Sequence, residues 1–143
     1  MTPEGYRHRI TMSIRYADMD SLGHVNNARY MTYFEQARIT YINDLNLWDG
    51  QPTGVGMIVA RATIDFKLAL RMSDGIVDIW TRCSRLGTKS FDMQHHLIRT
   101  SDGALAATGQ VVVVVYDYRT NTSTEIPDDW RAKLTEYEPA LNS

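Results

Sequence analysis

The stretch I58-V-A-R-A-T-I-D-F-K-L-A-L70 carries an apolar side chain at every even position: Ile58, Ala60, Ala62, Ile64, Phe66, Leu68 and Leu70. Most odd positions between Arg61 and Lys67 are polar. A period of two predicts a long strand with one face in a core. Upstream, D49-G-Q-P-T-G54 interrupts the chain, and the period before it is different. There Tyr30, Phe34, Ala37, Tyr41 and Leu45 recur at steps of three or four, with Met31, Ile39 and Ile42 widening the stripe. This spacing predicts a helix buried over much of its circumference. Downstream, Ser73-Asp74-Gly75 turns the chain into a second strand, about residues 76–86. Gly87 precedes a third, about 89–100, and Ser101-Asp102-Gly103 forms another turn. A last strand, 104–118, holds the consecutive valines Val111 to Val115, a run expected where both strand faces are covered. His8 to Tyr16 alternates loosely and reads as a first strand. Ile126-Pro127-Asp128-Asp129-Trp130 opens a short terminal helix, with Pro near its first turn.

The expected order is therefore strand, long helix, then antiparallel strands, in one α+β domain spanning residues 1–143. A helix that is apolar on most sides needs a sheet that curls around it. One helix cannot cover strands of this length completely. Self-association, as a homodimer or homotetramer, is the expected way to hide the remainder.

Composition narrows the function by exclusion. The chain has 143 residues, 43% hydrophobic and 22% charged, with a formal net charge of -2. That balance gives no general reason to expect nucleic-acid binding. No apolar run is long enough for a membrane-spanning helix, and the N-terminal residues lack the apolar segment of a signal peptide. A single cysteine, Cys83, leaves no internal disulfide and suits a reducing cytoplasm. It sits mid-strand without an evident base partner and reads as packing rather than nucleophile. His95 and His96 are adjacent on a strand, face opposite ways and cannot share a metal.

The chemistry concentrates in Y16-A-D-M-D-S-L-G-H-V-N-N-A-R-Y30. Asp18-x-Asp20-x-x-Gly23 is superficially similar to a calcium loop. However, Leu22 and Arg29 stand where ligands are required, which excludes that reading. Asn26 or Asn27 is expected to cap the helix, and Asp18 to serve the turn. The helix's first turn holds no acidic residue, so its N–H groups and positive partial charge remain free to meet a developing anion. Asp20 lies a few residues upstream, placed to act as base or nucleophile.

Tyr16-x-Asp18-x-Asp20-x-x-Gly23-His24-Val25-Asn26-Asn27-x-x-Tyr30, followed by Tyr33-Phe34-Glu35-x-Ala37-Arg38, resembles the hotdog-fold acyl-CoA thioesterases of the 4-hydroxybenzoyl-CoA thioesterase type. It is also similar to the plant acyl-ACP thioesterase motif, in which an aspartate precedes H-V-N-N-x-K-Y. The resemblance implies a hotdog fold, a long helix wrapped by a five-stranded antiparallel sheet. It implies hydrolysis of an acyl-CoA thioester to free acid and CoA, with no metal or other cofactor and no membrane or nucleic-acid partner. It places the catalytic carboxylate on Asp20, the carbonyl-polarising backbone N–H on Asn27, and the acyl-ACP enzymes' histidine on His24. The catalytic asparagine of those enzymes is Leu22 here, which favours a site centred on the aspartate. Lys89-Ser90-Phe91 resembles a stretch beside the CoA phosphates, so Lys89 and Ser90, with Asn26 and Tyr30, are the expected substrate contacts. Arg85 and Arg61 read as solvated strand residues. Glu35 and Arg38, at i and i+3 on the helix, read as an ion pair or a subunit contact. An acyl-ACP thioesterase, a hotdog dehydratase and a non-catalytic acyl-CoA-binding hotdog protein are the alternatives.

Overall fold

A computed structural model describes residues 2–142; Met1 and Ser143, the ends of the expected domain, lie outside the described residues. The strands are β1 (His8–Ser13), β2 (Val55–Phe66), β3 (Ile76–Leu86), β4 (Ser90–Arg99), β5 (Ala104–Asp117) and β6 (Thr122–Ser123). The helices are α1 (Asn27–Asp44) and α2 (Asp128–Tyr137). The main strands pair antiparallel in the order β1-β3-β4-β5-β2, with two-residue β6 on β5. The expected curled sheet around one long helix is present.

Registers define the two ends of this sheet. Ser13, Ile76, Arg99 and Phe66 mark one end; Leu86, Ser90, Val114 and Ile58 mark the other. α1 runs antiparallel to β2, since Tyr30 meets Phe66 with ring centroids 5.0 Å apart while Ile42 lies beside Met57 and Val59. Phe34 presses onto the sheet at Gly109, where an added Cβ would come within 2.8 Å of its ring. Tyr30, Phe34, Ala37, Tyr41 and Ile42 are buried as the helical spacing predicts, and Tyr33 joins them.

Four expectations need correction. The strand expected to reach Leu70 ends at Phe66, where the chain leaves the sheet edge; Lys67 and Leu68 N–H groups both donate to the Ala106 carbonyl. A bulge between Val59 and Arg61 makes Ala60 an extra residue and reverses which face the side chains take. Met57 and Val59 therefore oppose Val115 and Val113 on the helix-facing side, and Ala62, Ile64 and Phe66 take over that side beyond the bulge. Ile58 consequently faces outward. The valine run is buried only at Val111, Val113 and Val115, while Val112 and Val114 are half-buried on the opposite face. Finally, Met31 and Ile39 do not widen the buried stripe: they are 43% and 45% exposed beside the free edge of β2.

Candidate functional site

The loop from Ile14 to Asn26 is tied down at two points: Ile14 N–H donates to the Gly75 carbonyl and Val25 N–H to the Leu70 carbonyl, each at 2.8 Å. These bonds hold the loop at the Ile76 end of the sheet. Within it, Asp18 is fully buried. Its Oδ2 accepts the Tyr33 hydroxyl at 2.6 Å and the Arg15 N–H at 3.0 Å, and Oδ1 accepts Arg15 Nη2 at 2.9 Å. Burial pushes the Asp18 carboxyl up, but the hydrogen bonds from Arg15 and Tyr33 outweigh it and hold the group below its ordinary range. Asp18 serves the turn, as expected, and goes further by anchoring the loop to α1. Sequence alone gave no sign of the Tyr33 bond, which spans fifteen positions.

Beyond Asp18 the chain forms a small hairpin whose rungs are Asp18–Asn26, Met19–Val25 and Asp20–His24. Gly23 closes it at φ +79°, a backbone region that favours glycine. Asp20 Oδ1 accepts the N–H groups of Leu22 (2.9 Å) and His24 (3.1 Å). Among the described residues Oδ2 has no donor. Asp20 is half-buried and lines an open depression of about 390 Å³ with Tyr16, Met19, Ser21, Gly23 and Met72. His24 bonds Asp20 through its backbone alone, and its imidazole has no hydrogen bond within the described residues.

The hairpin delivers the chain to α1. Asn26 is the cap: its Oδ1 accepts the Ala28 N–H at 2.9 Å. Asn27 begins the helix, no acidic side chain occupies the first turn, and the Asn27 N–H has no acceptor among the described residues. Two hairpin rungs and one residue separate Asp20 from Asn27, on the order of 10 Å at strand spacing. The hairpin thus joins a carboxylate oxygen without a donor to an N–H without an acceptor. Such a pair can activate a nucleophile and stabilise a carbonyl oxyanion. Tyr30 is 2% exposed, packed among core residues and against Phe66, with no open face toward a ligand in the single chain.

Lys89 and Ser90 are elsewhere. Lys89 lies exposed in the β3–β4 turn, and Ser90 opens β4 with its Oγ accepting Arg85 Nη2 at 3.0 Å. Arg85 also pairs with Asp92 at 2.9 Å, as suits a solvated strand residue. β3 carries the chain from the Asp20 end to the Lys89 end, roughly 30 Å at strand rise. Within one chain the expected catalytic and CoA-contacting residues are therefore not brought together. Cys83 is buried, and burial pushes its thiol up to about 12, which suits packing. His95 faces the core and His96 the outer surface, so they share no ligand position.

The sequence profile of the thioesterase-like superfamily matches residues 14–134. The long-chain acyl-CoA thioesterase FadM of Escherichia coli is 23% identical over 86% of this chain and 93% of its own length. A Thermus thermophilus thioesterase, crystallised with coenzyme A and Zn, superposes with a TM-score of 0.83 at 28% identity, covering 96% of this chain and 98% of that one. A thioesterase-superfamily structure from Jannaschia shares the fold with a TM-score of 0.87 at 23% identity, covering 97% and 87%. Family and fold agree: the chain belongs to the thioesterase-like superfamily and is a hotdog-fold thioester hydrolase.

Proposed function

We propose that the protein hydrolyses an acyl-CoA thioester to a free acid and CoA at the Asp20–Asn27 site. The observation that carries this reading is the hairpin that presents Asp20 Oδ2 without a protein donor and runs directly into a helix start whose Asn27 N–H has no acceptor among the described residues. FadM, an acyl-CoA thioesterase by name, and the relative crystallised with coenzyme A support the carrier. As base, Asp20 Oδ2 takes a proton from water, whose oxygen attacks the thioester carbon. As nucleophile, Oδ2 attacks the carbon itself, and water then cleaves the resulting anhydride. In both routes the carbonyl oxygen gains charge opposite the Asn27 N–H, the C–S bond breaks and CoA leaves as the thiolate. Such an N–H is worth roughly 3 kcal/mol in the transition state. No metal or further cofactor enters this scheme.

A second copy of the chain completes the site in this reading. β2 is one of the two edge strands of the sheet, and Ile39, Val59 and Phe66 lie exposed along it at 45–47%, with Met31 of α1 43% exposed. A two-fold, antiparallel pairing of two such edges sets the Phe66 end of one copy against the Ile58 end of the other. Ile58 shares a row with Val114 and Ser90, so the Asp20 loop of one copy would face the Lys89 turn of its partner. Lys89 would then meet the CoA phosphates as a charge-assisted contact.

Two variants test both claims. Asp20→Asn should fold as wild type and lose on the order of 10²–10⁴ in turnover, followed as CoA release from a panel of acyl-CoAs. Lys89→Ala should raise KM. Refolded together and assayed with acyl-CoA well below the KM of Lys89→Ala, the variants should form half mixed dimers, each with one intact and one doubly damaged site, restoring about a quarter of wild-type activity. Full activity in Asp20→Asn sinks the chemistry. Activity in the mixture no higher than the mean of the parents sinks the shared site.

A further inference from the structure

The edge strand and α1 enclose a groove of about 330 Å³, lined mainly by Ile39, Ile42, Met57, Val59 and Trp48. Its volume suits an acyl group of roughly ten heavy atoms. Among the described lining residues Arg38 is the only cation. The guanidinium is half-buried, and none of its five donors finds a hydrogen-bond acceptor or a carboxylate within ion-pairing distance among the described residues. Burial holds it below its ordinary pKa despite Glu35. Half-buried, the guanidinium keeps only part of its water, and an acyl chain lying in the groove would displace the rest, a desolvation cost that a ligand oxygen would relieve. Behind it, burial and then the Arg38 charge press His95 down to about 3, so the imidazole stays neutral and no second cation forms there.

We propose that this groove receives the acyl part of the thioester and that Arg38 selects acyl groups bearing an uncharged oxygen, a hydroxyl or a keto group. The surroundings favour a neutral oxygen over a carboxylate. Glu35 and Asp49 line the same groove, and their charges oppose an anion while Glu35 can accept a hydroxyl proton. Plain hydrocarbon fills the apolar walls but leaves Arg38 unpaired. That asymmetry makes polar recognition discriminating, because a substrate lacking the oxygen covers the half-buried donor without satisfying it. This inference rests on the shared site above, where the groove of one copy adjoins the Asp20 loop of the other.

The test compares kcat/KM for octanoyl-CoA with its 3-, 5- and 8-hydroxy analogues, its 7-oxo analogue and the mono-CoA ester of octanedioic acid. Wild type should prefer at least one hydroxy or oxo chain over octanoyl by about tenfold or more and disfavour the octanedioyl ester. Arg38→Met should bring that ratio to within about twofold of one, a change in selectivity that a purely structural role would not produce. If Arg38→Met fails to fold, Arg38→Lys, a donor without the planar fork, should lower the ratio severalfold. An unchanged ratio in the variant, or no preference in wild type, overturns the assignment of Arg38. Loss of dimer mass with the ratio intact also overturns it and makes Arg38 an interface residue. If wild type hydrolyses none of these thioesters, the acyl-CoA reading fails first and takes this inference with it.

Discussion

Replacing Tyr33 with Phe removes one oxygen and tests what holds the Asp20 loop in place. The Tyr33 hydroxyl donates to Asp18 Oδ2 at 2.6 Å, with both residues fully buried. Arg15 continues to satisfy Asp18 through its backbone N–H and guanidinium, so the variant loses one charged hydrogen bond rather than stranding a bare carboxylate. Such a bond contributes about 2 kcal/mol. Unfolding entropy of about 2.1 cal/mol/K per residue implies roughly 0.3 kcal/mol/K for a chain of this length, so Tm should fall by about 7 °C. The pH dependence is equally specific. Asp18 has its folded pKa depressed, so the stabilisation by its ionised form is complete above the ordinary aspartate value. It is lost only as pH falls through the lower folded value. Denaturant titrations of Tyr33→Phe and wild type at equal protein concentration should differ by a constant amount from pH 7 to pH 5, with the gap narrowing below about pH 4. A Tm within 1 °C of wild type would refute the anchoring role. A gap that closes between pH 6 and 5 would refute the account of Asp18.

Glu138 gives the opposite sign. It is buried, accepts the Tyr41 hydroxyl at 2.7 Å and the Cys83 N–H at 2.8 Å, and burial raises its pKa. Its ionised form therefore weakens the fold as pH rises through the raised value, and Glu138→Gln, which keeps an acceptor, should gain on wild type between pH 5 and 8 in urea titrations. Glu138→Leu strands both donors and should cost about 2–3 kcal/mol at any pH. Gly109→Ala drives a methyl to 2.8 Å from the Phe34 ring and should cost about 1–3 kcal/mol, read as a fall in Tm. An unchanged Tm would mean that Phe34 can move away from the sheet.

How much of this could be read from the chain follows from what each signal can carry. The strands β3, β4 and β5 begin and end within a residue or two of their turn signals. Gly75 and Gly103 adopt the positive φ that their turns require, and such chemistry is local. The loop motif was legible for the same reason: Asp20, Gly23 and Asn26 act on backbone groups two to four residues away. The bulge at Ala60 was not, because Ile58 and Val59 are both apolar and alternation looks the same whichever of them faces inward. Asp18–Tyr33 and Glu138–Tyr41 escaped because each joins residues that only the folded sheet brings together, across 15 and 97 positions.

The same limit explains why the expected site looks divided. The motifs around Asp20 and Lys89 imply one function, with some basic residues supplied by a neighbouring subunit, but a motif carries no measure of the distance that β3 sets between them. Strand rise puts them at opposite ends of the sheet, and no loop movement of ordinary size closes roughly 30 Å. The residues that alternation marked for a core, Val59 aside, include Phe66, which stays 47% exposed on the free edge. Exposed apolar residues and a divided site are two deficits of the single chain. One operation, the proposed two-fold pairing along β2, would remove both, because it would bury that edge and bring each Asp20 loop to its partner's Lys89 turn. Arg38 belongs to the same argument: its unpaired guanidinium lies where the paired copies would enclose an acyl chain, so its partner is sought in the substrate.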